Sequence, residues 1–151
     1  MDYATSWGEI LNRHLQFRCK ICPDGTGEFA DVVAADAWYG KDGYPDFAEQ
    51  EGRSLVLART SLGEALVAEA MRLGVMVAAN LEVGEIARMQ PYQLARKRLV
   101  LARLLGTRLR IGWMPTFRGL RLLHCALRAR PVAWLRNALG TYRRAVGEVV
   151  R

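Results

Sequence analysis

Ser54-Leu55-Val56-Leu57-Ala58-Arg59-Thr60-Ser61-Leu62-Gly63-Glu64 is the stretch on which the reading of this fold turns. Its first five residues form a short, almost continuous apolar run, the pattern of a strand buried on both faces. Ser61 and Glu64 then stand at the S-x-x-E spacing of a capping box, which opens a helix. Leu62, Leu66, Ala70 and Leu73 share one face of that helix, and Gly74 supplies its stop. Val75-Met76-Val77-Ala78-Ala79 reads as a further strand, so the segment predicts a β-α-β unit in a small parallel or mixed sheet. The fold class expected is α/β (α+β): a small mixed sheet with flanking helices, followed by a basic helical C-terminal region.

Upstream, Ser6 and Glu9 make another capping box, and Trp7, Ile10, Leu11 and Leu15 recur at helical spacing. A first helix is therefore expected to deliver the chain to Cys19. The span from Phe29 to Ala35 contains Val32 and Val33 and lacks glycine and proline, which predicts a short strand. Between Trp38 and Gly52, the breakers Gly40, Gly43, Pro45 and Gly52 predict a long surface excursion.

Downstream of Glu82 the texture becomes helical. Pro91 stands where a helix would begin, with Leu94, Leu101, Leu104 and Leu105 among Arg96, Lys97, Arg98 and Arg103, and Gly106 as the expected end. Two more helices are expected, one around Thr116, Leu120, Leu123 and Leu127, the other from Pro131 through Leu135, Ala138, Leu139 and Tyr142. The organisation expected is a domain over residues 1–90, truncated at its N-terminus, and a basic helical extension over 91–151.

The chain has 151 residues, half of them apolar, enough for one domain with a core. No apolar run reaches the length of a membrane helix, and Met1-Asp2-Tyr3 does not open a signal peptide, so the cytoplasm is the expected compartment. The net charge of +7 conceals an asymmetry: residues 1–90 carry 8 Lys+Arg against 14 Asp+Glu, giving −6, and residues 91–151 carry 14 against 1, giving +13. Two functional surfaces are expected from that split.

The three cysteines are an odd number in a chain without a secretory signal, which argues against a disulfide framework. Cys19 and Cys22 are spaced C-x-x-C immediately before Pro23-Asp24-Gly25-Thr26-Gly27, an arrangement that lets two thiolates converge on one zinc or iron-sulfur centre. Zinc would need two more ligands. His14 lies in helical register beside Leu11 and Leu15, where packing or partial exposure is the commoner fate, and His124 and Cys125 are expected in apolar packing. A thioredoxin-like dithiol is disfavoured because the motif follows a helix instead of opening one. Asp42, Asp46, Glu49 and Glu51 read as a solvated loop more simply than as a catalytic carboxylate set. Hydrolase and nucleotide-triphosphatase fingerprints do not occur.

Arg18-Cys19-x-x-Cys22-Pro23-Asp24-Gly25-Thr26-Gly27-Glu28-x-Ala30-Asp31, then Asp36-Ala37-Trp38, then Gly52-Arg53-Ser54-Leu55-Val56-Leu57-Ala58-Arg59-Thr60 and Gly63, resemble the C-terminal domain of the coenzyme F420 hydrogenase/dehydrogenase beta-subunit family. The resemblance covers about residues 5 to 90. It implies a part of an iron-sulfur flavoprotein oxidoreductase subunit that passes electrons between a [4Fe-4S] cluster, FAD and F420 or another acceptor. On this resemblance Cys19 and Cys22 are two cluster ligands, and Asp24, Gly25, Thr26 and Gly27 form the turn that wraps the cluster or approaches the flavin. Asp31, Asp36 and Trp38 match the pattern without an assigned role. Glycines suit such a turn because backbone amides can then approach sulfide or phosphate.

Full members carry further cysteines and much of the flavin site in an N-terminal region, whereas Cys19 here stands close to Met1. A cluster takes four protein ligands as a rule, and Cys125 is the one remaining cysteine. The expectation is a detached C-terminal part, inactive alone, completed by an N-terminal portion or another redox subunit. The alternative is a non-catalytic adaptor whose basic amphipathic helices dock onto an acidic protein or an anionic membrane surface, with Arg136 and Arg143 beside Trp134, Leu135 and Leu139. Nucleic acid ranks last among partners, for want of any recognisable motif.

Overall fold

The computed structural model describes residues 4–41, 44–46, 48 and 51–145. The chain divides into two compact units, one drawn from Met1–Gly25 and Ala95–Arg151, the other Thr26–Leu94. The class is α+β, with small two-stranded sheets and flanking helices.

In the second unit, β1 (Val32–Asp36) pairs with β4 (Ser54–Ala58) from Val32 opposite Ala58 to Asp36 opposite Ser54. A separate hairpin joins β2 (Tyr39–Lys41) to β3 (Tyr44–Asp46). Both pairings are antiparallel, which corrects the expected parallel or mixed sheet. Residues 75–79 form no strand, and Val77 is 97 % exposed. An apolar run becomes a strand only where a neighbouring edge satisfies its backbone groups, and among the described residues none pairs with this run. Strand β4 buries Leu55 but leaves Val56 and Leu57 half-exposed, contrary to the expected burial on both faces. The expected excursion between Trp38 and Gly52 contains the β2–β3 hairpin instead.

Helix α2 (Ser61–Arg72) begins one residue earlier in its capping chemistry than expected. Thr60, not Ser61, is the cap: its Oγ1 accepts from the Gly63 amide at 3.2 Å. Such a cap is worth about 1 kcal/mol. Gly63 is compelled by packing, since a Cβ there would lie 2.1 Å from the Asp31 carbonyl oxygen. Gly74, at φ +70°, ends the helix as expected. After α3 (Val83–Met89), the small core of this unit forms from Ala37, Leu55 and Met89, with Leu57 and Ile86 against it.

In the first unit, Ala4–Ile10 winds as a wide π-type segment and Leu11–His14 as a tighter 3-10 turn, in place of the regular helix expected there. The apolar residues of that segment explain the outcome: Trp7, Ile10, Leu11 and Leu15 are all exposed, so no packed face holds it in α-helical register. A single turn, α1 (Phe17–Lys20), follows. The long α4 (Pro91–Ile111) starts at Pro91 as expected, its N-terminal few residues belonging to the second unit.

Gly106 does not end α4. A Cβ at that position would sit 2.3 Å from the Ala138 carbonyl oxygen in α6 (Pro131–Arg144), so the glycine is the point of close helix approach. The chain turns instead at Gly112, φ +75°. The helix expected from Thr116 to Leu127 is reduced to α5 (Leu122–Ala126), because Gly119 at φ +77° and Arg121 at φ +48° break the right-handed path. His124 is exposed, against its expected place in the core, and Cys125 is half-buried. The core of this unit is Ile21, Val100 and Leu104, joined by Phe17, Met114, Phe117 and Leu122.

No helix among the described residues is long and apolar enough to cross a membrane.

Candidate functional site

The cysteine loop is built outward from two buried anchors. Ile21 is packed between Val100 and Leu104, and Pro23 is fully buried, so the backbone on either side of Cys22 is pinned. Helical turn α1 sets the preceding residues, with the Cys19 amide donating to the Gln16 carbonyl at 3.0 Å and the Ile21 amide to Phe17 at 3.2 Å. Beside these anchors Cys19 is exposed and Cys22 is half-buried. The Cys22 thiol donates weakly to the Asp24 carbonyl at 3.4 Å.

Helix α4 clasps this loop. Arg96 Nη1 donates to the Cys19 carbonyl at 3.2 Å, and Arg103 Nη1 donates to the Lys20 carbonyl at 3.0 Å. Arg103 is itself held, its Nε donating to Asn137 Oδ1 at 3.1 Å while Asn137 donates to the Ala133 carbonyl at 2.9 Å. Burial lowers the Arg103 pKa from its ordinary value, with the neighbouring charges of Arg96 and Arg144 adding to the effect. Fixed guanidinium groups with repulsion among them favour an anion at this surface. The sequence pattern locates α4 but does not show that Arg96 and Arg103 hold the loop. The available signal was the run of residues 86–145 that holds 14 Lys+Arg and no Asp or Glu.

The glycine turn proves to be two pieces of structure. Asp24 is half-buried and Gly25 exposed at the end of the first unit's N-terminal segment. In the second unit, the Thr26 carbonyl accepts from Arg59 Nη2 at 2.9 Å, and Gly27 takes φ +60°, closing a turn to the Ala30 amide at 3.1 Å. A Cβ at Gly27 would fall 2.8 Å from Val33 Cγ2. Positive φ and contact with β1 are therefore sufficient reasons for this glycine.

Asp31 acquires a structural role through its side chain, whereas Asp36 and Trp38 contribute backbone carbonyls that any residue would supply. Asp31 accepts from the Thr60 hydroxyl through its carboxylate and from the Arg59 amide through its carbonyl, at 2.9 Å in the latter case. The Asp36 carbonyl accepts from Gln90 Nε2 at 2.7 Å. Arg53 lies over the Tyr39 ring, 3.8 Å from its centroid, and donates to the carbonyls of Ala37 and Trp38 at 2.8 and 3.3 Å. Much of the pattern between residues 31 and 63 thus maintains the β1–β4 pair and the start of α2.

The remaining candidates do not gather. Among the described residues, no group of three or more His, Cys, Asp or Glu side chains could hold a metal ion. His14 and His124 are exposed and Cys125 does not join the pair to make such a group. Two thiols are half of the four protein ligands that a [4Fe-4S] cluster usually takes, and among the described residues no third candidate ligand joins them. In the acidic set, Asp46 accepts from the Ala48 amide at 3.0 Å and Glu51 is exposed, while Asp42 and Glu49 lie outside the described residues.

The family model for the C terminus of the coenzyme F420 hydrogenase/dehydrogenase beta subunit matches residues 3–83, more than half of the chain. No curated protein and no solved structure matches the chain.

Proposed function

This chain belongs to the coenzyme F420 hydrogenase/dehydrogenase beta-subunit family, and from that premise we propose that it works as the C-terminal part of an iron-sulfur flavoprotein oxidoreductase subunit in the cytoplasm. On this reading Cys19 and Cys22 are two thiolate ligands of a [4Fe-4S] cluster. The other ligands come from another polypeptide segment, and that segment, with FAD, links the cluster to F420 or a different acceptor. Asp24 and Gly25, in the same unit as the cysteines, contribute backbone groups next to that junction, as the resemblance implies for the turn they open.

The observation that carries the proposal is a C-x-x-C pair, Cys19 exposed and Cys22 half-buried, on a loop whose backbone is pinned by Ile21 and Pro23 and clasped by Arg96 and Arg103. Pre-organised ligands lower the ordering cost of binding. Arg18, Lys20, Arg96 and Arg103 also place positive charge around a centre that thiolates and sulfides make negative. Helix α2 supports a protein partner, because Leu62, Leu66 and Leu73 form a stripe on one helix face and all three are exposed.

Anaerobic reconstitution with iron and sulfide tests the reading, on the chain alone and on the chain co-expressed with the product of the adjoining open reading frame. Stoichiometric iron with broad visible absorbance is expected in the co-expressed preparation, and Cys19→Ser or Cys22→Ser removes it. Iron and flavin absent from both preparations would overturn the proposal.

A further inference from the structure

Helix α6 presents two unlike faces. On its inner side Thr141 is buried, Trp134 is half-buried and the Ala138 carbonyl meets Gly106 of α4. A globular helix would carry polar residues on the opposite side. Here Val132, Leu135 and Leu139 line that outer face, 80, 59 and 53 % exposed respectively. Their i, i+3, i+7 spacing makes them one stripe, and Arg136 and Arg143 run along its edge. A shallow open groove follows the same residues.

We propose that this face lies on an anionic lipid surface, with the three aliphatic side chains entering the headgroup boundary and Arg136 and Arg143 meeting lipid phosphates or serine carboxylates. Charge decides among the occupants. The described residues from 86 to 145 contain 14 Lys+Arg and no Asp or Glu, so the patch matches a negative surface and no acidic side chain of that segment neutralises it. A second copy docked face to face would set Arg136 and Arg143 against their own equivalents with no carboxylate of that segment between them. An acidic protein would need carboxylates fixed at two particular positions around an apolar counter-ridge. A fluid bilayer offers anionic groups at every azimuth above an apolar layer, and long arginine stems can reach upward while the aliphatics sink.

The surface is independent of the cysteines, so its test is separable from the redox reading. The intact chain is sedimented with phosphatidylcholine vesicles, and with vesicles containing added phosphatidylserine, in low and high salt. Binding is expected to the anionic vesicles and to weaken with salt. R136Q/R143Q should weaken it about thirtyfold, from about 1 kcal/mol per basic residue. V132S/L135S/L139S should abolish the salt-resistant remainder, with circular dichroism showing α-helix content retained in both variants. Retention of binding by C19S/C22S supports a separate lipid surface.

No binding to anionic vesicles in low salt overturns the proposal, as does equal binding to neutral vesicles or indifference to both variants. A dimer dispersed by the triple serine variant, or capture by polyglutamate without vesicle binding, overturns it in favour of a second copy or an acidic protein.

Discussion

Gly106→Ala is the sharpest perturbation that this architecture offers, because two physical effects of opposite sign meet at one methyl group. Replacing a mid-helix glycine by alanine ordinarily stabilises a helix by about 1 kcal/mol, through lost backbone entropy in the unfolded chain. At Gly106 the new Cβ would lie 2.3 Å from the Ala138 carbonyl oxygen and 3.2 Å from the Tyr142 amide nitrogen. Ordinary contact needs the carbonyl to retreat by about 1 Å, and the obstacle is backbone in a packed helix, which cannot rotate away. Overpacking of this kind costs about 1–3 kcal/mol, with the upper end expected for a backbone obstacle. The net expectation is a loss of about 2 kcal/mol.

Gly140, on α6 in the same unit, provides the control. A Cβ there meets only the flexible end of Arg144, at 3.4 Å, so Gly140→Ala should stabilise by about 0.5–1 kcal/mol. Urea unfolding of both variants, followed by far-ultraviolet circular dichroism, reads the two shifts in midpoint at common slope. Gly106→Ala stabilised to the same degree as Gly140→Ala would refute the close helix approach and with it the account of why α4 continues past Gly106.

Two further outcomes are expected. Arg103→Ala, which strands the Lys20 carbonyl and the Asn137 amide oxygen, should destabilise the first unit by about 2 kcal/mol, repulsion from Arg96 and Arg144 being relieved in part. Amide exchange at Cys19–Cys22 should accelerate more than exchange in α6, and equal acceleration throughout the unit would deny Arg103 its place as a clasp. On α2, Arg72 holds the Glu69 carboxyl below the usual carboxylate range through a bidentate contact at 2.6 and 2.7 Å. A depressed folded-state pKa means that the pair's contribution is present above the unfolded value and lost as pH falls through the folded one. A carboxyl chemical-shift titration should show Glu69 moving up to the ordinary range in Arg72→Gln, with little change in overall stability for so exposed a pair. No movement in that variant would show that the contact does not persist in solution.

Local chemistry was sufficient to read several features from the order of residues alone. Ser54–Ala58, with its apolar run, is β4; Gly74 ends α2; Pro91 and Pro131 begin the helices they were expected to begin. The glycine stop and the two prolines depend on contacts within a few residues or on a fixed φ, so sequence suffices, whereas the β4 run was recognisable by composition and became a strand by pairing with β1. The family, and the cysteine pair that any redox reading must use, were visible in the same way, as ordered side chains at set spacing.

What only the tertiary structure decided were the questions that turn on who stands opposite. Val75–Ala79 has the composition of a strand and no edge to join, so it stays irregular. Gly106 looks like a helix terminus until the Ala138 carbonyl occupies the space of its missing Cβ. Gly27 and Asp31, which resemblance associated with a redox pattern, are also explained by φ +60° against Val33 and by acceptance from Thr60. Arg96 and Arg103 became the clasp of the Cys19–Cys22 loop only once α4 was brought to it across more than seventy residues of chain. Spacing along a chain specifies which groups are available, and folding specifies which of them can touch; the Cys19–Cys22 pair and the scarcity of further cysteines were legible by the first rule, the support from Arg96 and Arg103 by the second.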